Sequence, residues 1–144
     1  MYINITFDYN YNKFNILLFI NYKLFFYLYK KMPIAIIHLG TKVSDEIKGE
    51  MAKEAMKILS EVIGKPIKYC SSQVFETIGG FGGNVEPSAF IDIKSIGGLK
   101  GKQKDLSDKF CTMIESKTSI KGDKIYLNFT EFIGENWGFN HKSF

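Results

Sequence analysis

Met32-Pro33-Ile34-Ala35-Ile36-Ile37-His38-Leu39 is the stretch that decides the fold. A Met-Pro pair runs straight into an alternating, β-branched segment of the kind that forms a buried strand. Proline tolerates the first position of a strand, where its missing N–H costs little. The pair also has a chemical side. In a chain that begins at Met32, the small residue behind it favours removal of the methionine and leaves proline as the free N-terminus. A free N-terminal proline is a secondary amine, an unusual base for a protein to own.

Downstream of this strand, Gly40-Thr41-Lys42-Val43 reads as a turn, and Ser44 or Asp45 can cap a helix whose first turn holds Asp45 and Glu46. Ile47, Met51, Ala55, Ile58, Leu59 and Val62 recur at steps of three and four and make one apolar stripe. Gly64 ends the helix and Pro66 stops its continuation. Ile67 to Phe75 is expected to form a second strand. Because a helix makes the crossover, the two strands should be parallel.

The same plan then repeats. After the glycine-rich Gly79-Gly80-Phe81-Gly82-Gly83-Asn84 comes a strand at Ala89-Phe90-Ile91-Asp92-Ile93, then a helix whose buried side is Leu106, Phe110, Met113 and Ile114. Gly122-Asp123 turns the chain into a last long strand, Lys124 to Phe129. The glycine run carries no Gly-Lys-Ser/Thr and leads into no helix, so it reads as turn geometry rather than a phosphate cradle. The expected fold class is α/β, an α+β two-layer sandwich. It has two β-α-β repeats, a four-stranded mixed sheet and two helices on one face. Nothing left in the chain is large enough to cover the other face, and oligomerisation is the physical inference. The aromatic Asn136-Trp137-Gly138-Phe139-Asn140 segment could add a small edge strand to a neighbouring subunit.

Upstream, residues 1–31 differ in composition: Asn, Tyr, Phe, Ile, Leu and Lys dominate, and Gly, Ala and Pro are absent. Asn21, Tyr22 and Lys23 interrupt the apolar runs Ile16–Ile20 and Leu24–Tyr29, too polar a break for a span of about twenty residues. The charges sit on the wrong side for a signal peptide. The expectation is a non-native or disordered extension, upstream sequence translated from a misplaced start, ahead of a domain at residues 32–144. An amphipathic anchor stays open as the other reading.

Composition narrows the function classes. The 144-residue chain is 45% hydrophobic and 24% charged, as globular domains are. All 19 of its Lys and Arg residues are Lys. Arginine forks are the usual readers of guanine edges and phosphates, so their absence argues against a nucleic-acid partner. Residues 1–31 hold Lys13, Lys23, Lys30 and Lys31 against Asp8, which supplies most of the formal +4. The remainder is close to neutral and implies no basic face. Cys70 and Cys111 match no metal or redox spacing and read as free thiols, with a disulfide left open. His38 and His141 are isolated. No metal site and no cofactor are expected.

Met32-Pro33, Gly64-Lys65-Pro66, Phe81-Gly82-Gly83, Glu86-Pro87, Ser95-Ile96-Gly97-Gly98, Ile125-Tyr126-Leu127-Asn128-Phe129 and Asn136-Trp137-Gly138-Phe139-Asn140 together resemble the macrophage migration inhibitory factor family of the tautomerase superfamily. Their order and spacing run without a long gap from Met32 to Phe144. The resemblance implies a trimeric tautomerase fold, a homotrimer with active sites at the subunit boundaries. It also implies keto-enol tautomerisation of small enolisable aromatic keto acids, as in phenylpyruvate tautomerase or dopachrome isomerase. Pro33 then matches the catalytic base and Lys65 the holder of the substrate's acidic end. Ile96 matches the residue whose backbone amide meets the ligand. Tyr126 and Asn128 match residues supplied by the adjacent subunit, and Ile34, Trp137 and Phe139 would line an aromatic-sized pocket.

Each of these residues also has an ordinary reading. Pro33 can simply start a strand, Lys65 can be a charge beyond a helix end, Tyr126 a strand aromatic and Asn128 an outward polar group. Two departures from the family pattern stand out. Ser88-Ala89-Phe90-Ile91 replaces a Cys-x-x-Cys motif, so no thiol oxidoreductase activity is carried over, and Trp137 adds bulk at the pocket rim. The resemblance implies a second functional reading, a secreted cytokine-like ligand for a cell-surface receptor. The expected location is cytoplasmic, with release outside the cell by a non-classical route, and no stable membrane insertion.

Overall fold

The computed structural model describes residues 32–144, and the expectations placed on residues 1–31 lie outside the described residues. In chain order these residues form β1 (Ile34–Leu39), helix α1 (Asp45–Ile63), β2 (Ser71–Glu76), β3 (Ala89–Ser95), helix α2 (Gln103–Lys117) and β4 (Ile125–Glu131). A short closing pair follows, β5 (Gly138–Phe139) and β6 (Lys142–Ser143).

The first helix starts as its sequence asks. The Ser44 hydroxyl accepts a hydrogen bond from the Ile47 N–H at 3.2 Å, and Asp45 and Glu46 occupy the positive first turn. Gly64 closes it in the left-handed region at φ 75°. The second helix ends on Thr118, whose hydroxyl donates to the Ile114 carbonyl at 2.8 Å and accepts from the Ile120 N–H at 3.1 Å. Lys117, in its last turn, lies 3.0 Å from Glu50 and 3.4 Å from Glu54 on α1. These two carboxylates hold the Lys117 ammonium above the usual lysine range.

The four long strands form one sheet in the order β2-β1-β3-β4. Each β-α-β half pairs its two strands in parallel, and the halves join antiparallel through β1 and β3, with Ile37 opposite Ile91. Strand alternation then sorts the residues by face. Ala35, Ile37, Leu39, Ile91 and Ile93 point toward the helices and are fully buried. There they meet Met51, Ala55 and Leu59 of α1 and Leu106, Phe110, Met113 and Ile114 of α2 in one continuous core. The alternate residues occupy the opposite face. Phe75 (47% exposed), Phe90 (43%) and Tyr126 (66%) stand open there, and the His38 ring stacks 5.5 Å from Phe75.

Two details differ from the sequence reading. Ile67–Tyr69 is a short 3-10 turn rather than strand, because the Tyr69 N–H donates to the Pro66 carbonyl and the Cys70 N–H to that of Ile67. The strand begins at Ser71. Ile63 takes the buried place at the end of the α1 stripe, while Val62 is partly buried. The closing aromatic segment pairs with the chain's own tail, Gly138 against Ser143 and Phe139 against Lys142. The glycine run does form a tight turn. Phe81 and Asn84 exchange both backbone hydrogen bonds, and Gly82 and Gly83 sit at φ 59° and 87°, which that turn requires.

Among these contacts the Phe110 ring is the largest fully buried side chain. Phe110→Ala should cost about 3–5 kcal/mol of unfolding free energy, and Ser44→Ala about 1 kcal/mol through loss of the helix cap. Urea melts at one fixed protein concentration check both. Equal losses for the two substitutions would contradict this account of the core.

Candidate active site

Pro33 is buried at the entrance to β1, and its carbonyl accepts the Ser71 N–H at 3.0 Å. That bond ties it to the first residue of β2. Lys65 lies just after the α1 cap and is only 3% exposed, where lysines are rarely found. Its backbone is fixed from both sides. The N–H groups of Gly64 and Lys65 both donate to the Ser60 carbonyl at 3.0 Å, and the Ser60 hydroxyl donates to the Lys65 carbonyl. Its charge reaches Cys70, the residue before β2. Burial pushes the Cys70 thiol up, and Lys65 pulls it partly back.

The antiparallel register brings a third candidate to the same end of the sheet. Ile34 faces Lys94, so Pro33 lies across from Ser95 and beside Ile96, which is 5% exposed. The backbone around Ile96 is held at several points. The Ser95 hydroxyl donates to the Gly97 carbonyl at 2.7 Å, and the Ser95 carbonyl accepts the Phe132 N–H at 2.9 Å. Gly97 and Gly98 follow at φ 64° and 86°, a conformation that side chains bearing a Cβ resist. One oxygen of Glu131 then accepts the N–H groups of Leu99 at 2.6 Å and Lys100 at 3.2 Å. Trp137 is half-buried with its ring 5.7 Å from Phe132, hence near this end as well. Ile34, the next residue after Pro33, is half-buried on the open face of the sheet.

Tyr126 and Asn128 do not join this group. Tyr126 pairs with Phe90, which pairs with His38, five residues along β1 from Pro33. At about 3.3 Å per residue that is about 17 Å along the strand. Asn128 pairs with Asp92, opposite Ile36, about 10 Å along by the same rise. Both stand exposed on the open face. Asn128 donates to Asp92 at 2.9 Å and to Thr130 at 3.0 Å. The Tyr126 ring packs 5.3 Å from Phe81, which carries the Lys124 ammonium 4.7 Å over its face. Phe139 stacks on Phe144 at 6.0 Å in the closing hairpin.

Within one chain, then, Pro33, Lys65 and Ile96 share an end of the sheet, and Tyr126 and Asn128 offer themselves outward. The Glu131 contact went unread in the sequence. Glu131 ends β4 as an exposed residue, an ordinary place for a carboxylate, so nothing in the sequence marks its bond to Leu99 and Lys100. Among the described residues no group of three or more His, Cys, Asp or Glu side chains could hold a metal ion. No helix among them is long and apolar enough to cross a membrane.

Comparison with known proteins gives one consistent result. The family described as macrophage migration inhibitory factor matches residues 32–144. The crystal structure of a macrophage migration inhibitory factor-like protein from Entamoeba histolytica is 60% identical, with a TM-score of 0.77, over 78% of this chain and 99% of that one. A homologue from Prochlorococcus marinus is 29% identical, with a TM-score of 0.73, over 77% of this chain and 98% of its own. A curated homologue from Trichuris trichiura is 29% identical over 106 residues, 70% of this chain and 90% of that protein.

Both thiols are free, Cys70 buried and Cys111 half-buried, and burial raises both above the ordinary cysteine range. The thiolate is the reactive form, so at pH 8 both should alkylate more slowly than an unstructured cysteine. Their rates should go on rising at pH values where a free thiol has levelled off. Iodoacetamide labelling followed by peptide mass spectrometry checks this, and a plateau at the free-thiol pH would contradict it.

Proposed function

This chain belongs to the macrophage migration inhibitory factor family and has the tautomerase superfamily fold, and from that premise we propose that it is a keto-enol tautomerase using Pro33 as its base. The observation that carries the proposal is the convergence of buried Pro33, buried Lys65 and Ile96 at one end of the sheet. The substrate is a small enolisable aromatic keto acid of the phenylpyruvate type.

In the keto-to-enol direction, the lone pair of a free Pro33 nitrogen takes the proton from the carbon beside the substrate carbonyl. The electrons of that C–H bond move toward the carbonyl oxygen. A free α-amine ordinarily titrates near pH 8, so at neutral pH most of it would be protonated and inert. Burial beside Ile34 and Ile96 disfavours the ammonium, and the nearby positive charge of Lys65 disfavours it further. Lys65 also faces the substrate's acidic end and stabilises negative charge as the enolate develops, most strongly where water is excluded. In the 144-residue chain the Pro33 nitrogen is a tertiary amide with no basic lone pair. Activity therefore requires a chain that begins at Pro33.

The site is completed in a homotrimer, with Tyr126 and Asn128 of an adjacent copy closing over Pro33 while Trp137 and Phe139 line the rim. Two observations support this arrangement. The strand register keeps Tyr126 and Asn128 about 10–17 Å along the sheet from their own Pro33. The sheet face opposite the helices leaves Phe75, Phe90 and Tyr126 exposed, as a face covered by another copy would.

The names of the relatives describe an effect on macrophages, and this favours a second reading as a secreted ligand for a cell-surface receptor. Such a ligand would leave the cytoplasm by a non-classical route and would not depend on the Pro33 base. The two readings separate on Pro33→Gly, which keeps receptor binding under the second and loses turnover under the first.

Protein beginning at Pro33 should ketonise the enol of phenylpyruvate. Pro33→Gly in that protein should lose at least about a hundredfold in kcat/KM, the range for removing a positioned base, while keeping its far-ultraviolet circular dichroism. Equal activity in a full-length chain proven intact by mass spectrometry would sink the proline mechanism.

A further inference from the structure

We propose that Ser60 is a positioning residue for Lys65, a role that deepens the tautomerase reading given above and rests on it. Ser60 lies in the last turn of α1 and holds the Lys65 backbone with two separate groups. Its carbonyl accepts the N–H groups of Gly64 and Lys65, both at 3.0 Å. Its hydroxyl donates to the Lys65 carbonyl, five residues ahead.

The hydroxyl is the unusual half of this clamp. A serine inside a helix ordinarily turns its side chain to solvent or back to the carbonyl four residues earlier, whereas Ser60 reaches forward past the helix end. The other half belongs to the helix cap, where Gly64 at φ 75° turns the chain so that the Lys65 N–H folds back onto Ser60. The peptide after Lys65 carries the Pro66 nitrogen and has no N–H, so its carbonyl is the one group by which hydrogen bonding can fix it. The Ser60 hydroxyl takes that group.

The consequence is geometric. Peptide units are planar, so the orientations of the two that flank Lys65 set its φ and ψ. They also set the direction in which its side chain leaves the backbone. Ser60 holds one of these units by its carbonyl and the other by its hydroxyl. Lys65 is 3% exposed, and its positive charge is felt at Cys70, the residue before the Ser71 N–H that binds the Pro33 carbonyl. Removing the hydroxyl releases the second unit alone, because the cap keeps both backbone bonds. The helix end should therefore stay closed while the lysine loses its aim. With that charge less well placed, the Pro33 ammonium is disfavoured less, and the amine should titrate closer to its ordinary value near pH 8. The other charged groups at this end, Lys94 paired with Asp92 and Glu131 bound to Leu99 and Lys100, are untouched by the change.

The test uses protein beginning at Pro33, with the wild type, Ser60→Ala and Ser60→Thr compared in the enolisation of phenylpyruvate and in amide hydrogen exchange. Neutral Pro33 is the active form in this direction, so kcat/KM rises with pH as the amine loses its proton. Ser60→Ala should lower kcat/KM at neutral pH about tenfold, as a small misplacement does. It should also move the midpoint of the pH profile up by about half a pH unit, with exchange at Gly64 and Lys65 within about threefold of wild type. Ser60→Thr keeps a hydroxyl and should recover most of both kinetic changes. If the alanine variant does not fold, Ser60→Cys takes its place, because a thiol is a weak donor and should move the midpoint the same way. Folded variants of an active wild type that keep its midpoint and kcat/KM overturn the positioning role alone. Lost activity with fast exchange at Gly64 and Lys65 also overturns it, since the helix end would then have opened. A wild type beginning at Pro33 with no activity overturns the tautomerase reading and this role with it.

Discussion

The antiparallel pairing of β1 with β3 is the constraint on which the rest of the structure depends. Each β-α-β half could fold its helix onto two parallel strands, but such a half has an unpaired central edge and half a core. Joining them through Ile37 and Ile91 makes one sheet, one helical layer and one continuous core. The same register decides what lies across from Pro33. Because β3 runs against β1, the start of one strand meets the finish of the other, and Ser95 and Ile96 arrive beside the proline. A slip of one residue would turn Ala35, Ile37 and Leu39 away from the core, so the hydrophobic alternation that stabilises the sheet also fixes the site.

In the proposed homotrimer that site is half built by one chain. The strand that brings Ile96 close carries Tyr126 and Asn128 away, because β4 runs parallel to β3 and starts from the far end. Polar and aromatic groups therefore gather on the sheet face that the helices leave bare, with Asn128 oriented by Asp92 and Tyr126 by Phe81. In the proposed assembly this face is covered and these side chains serve a neighbour. In that assembly one feature of topology accounts for both the exposed aromatics and the part of the pocket that a neighbour supplies.

Much of the fold was legible because its signals are periodic. The α1 and α2 stripes and the alternation in β1 follow from burial on one side, and the structure reproduces them except at the ends of the α1 stripe, where Ile47 and Val62 are partly buried and Ile63 is buried. Legibility failed where local and tertiary preferences part. Ile67, Lys68 and Tyr69 look like the start of a strand, but Pro66 directs the chain into a turn. The true strand, Ser71–Glu76, reads as polar because it lies at the sheet edge with much of its surface open. The site was legible only through family resemblance. No spacing joins Pro33, Lys65 and Ile96, since a strand, a helix end and a loop bring them together from separate parts of the chain. The Glu131 contact was not readable, because an exposed carboxylate at the end of a strand is unremarkable and its partners Leu99 and Lys100 lie more than thirty residues earlier.

The account turns on whether a secondary amine exists at Pro33 in the protein as cells make it. Intact-mass and N-terminal peptide measurements on catalytically active protein, purified without a tag from its natural source, address that directly. They should find a polypeptide whose first residue is Pro33. Active protein with Met32 or any earlier residue still peptide-bonded to Pro33 would contradict the account.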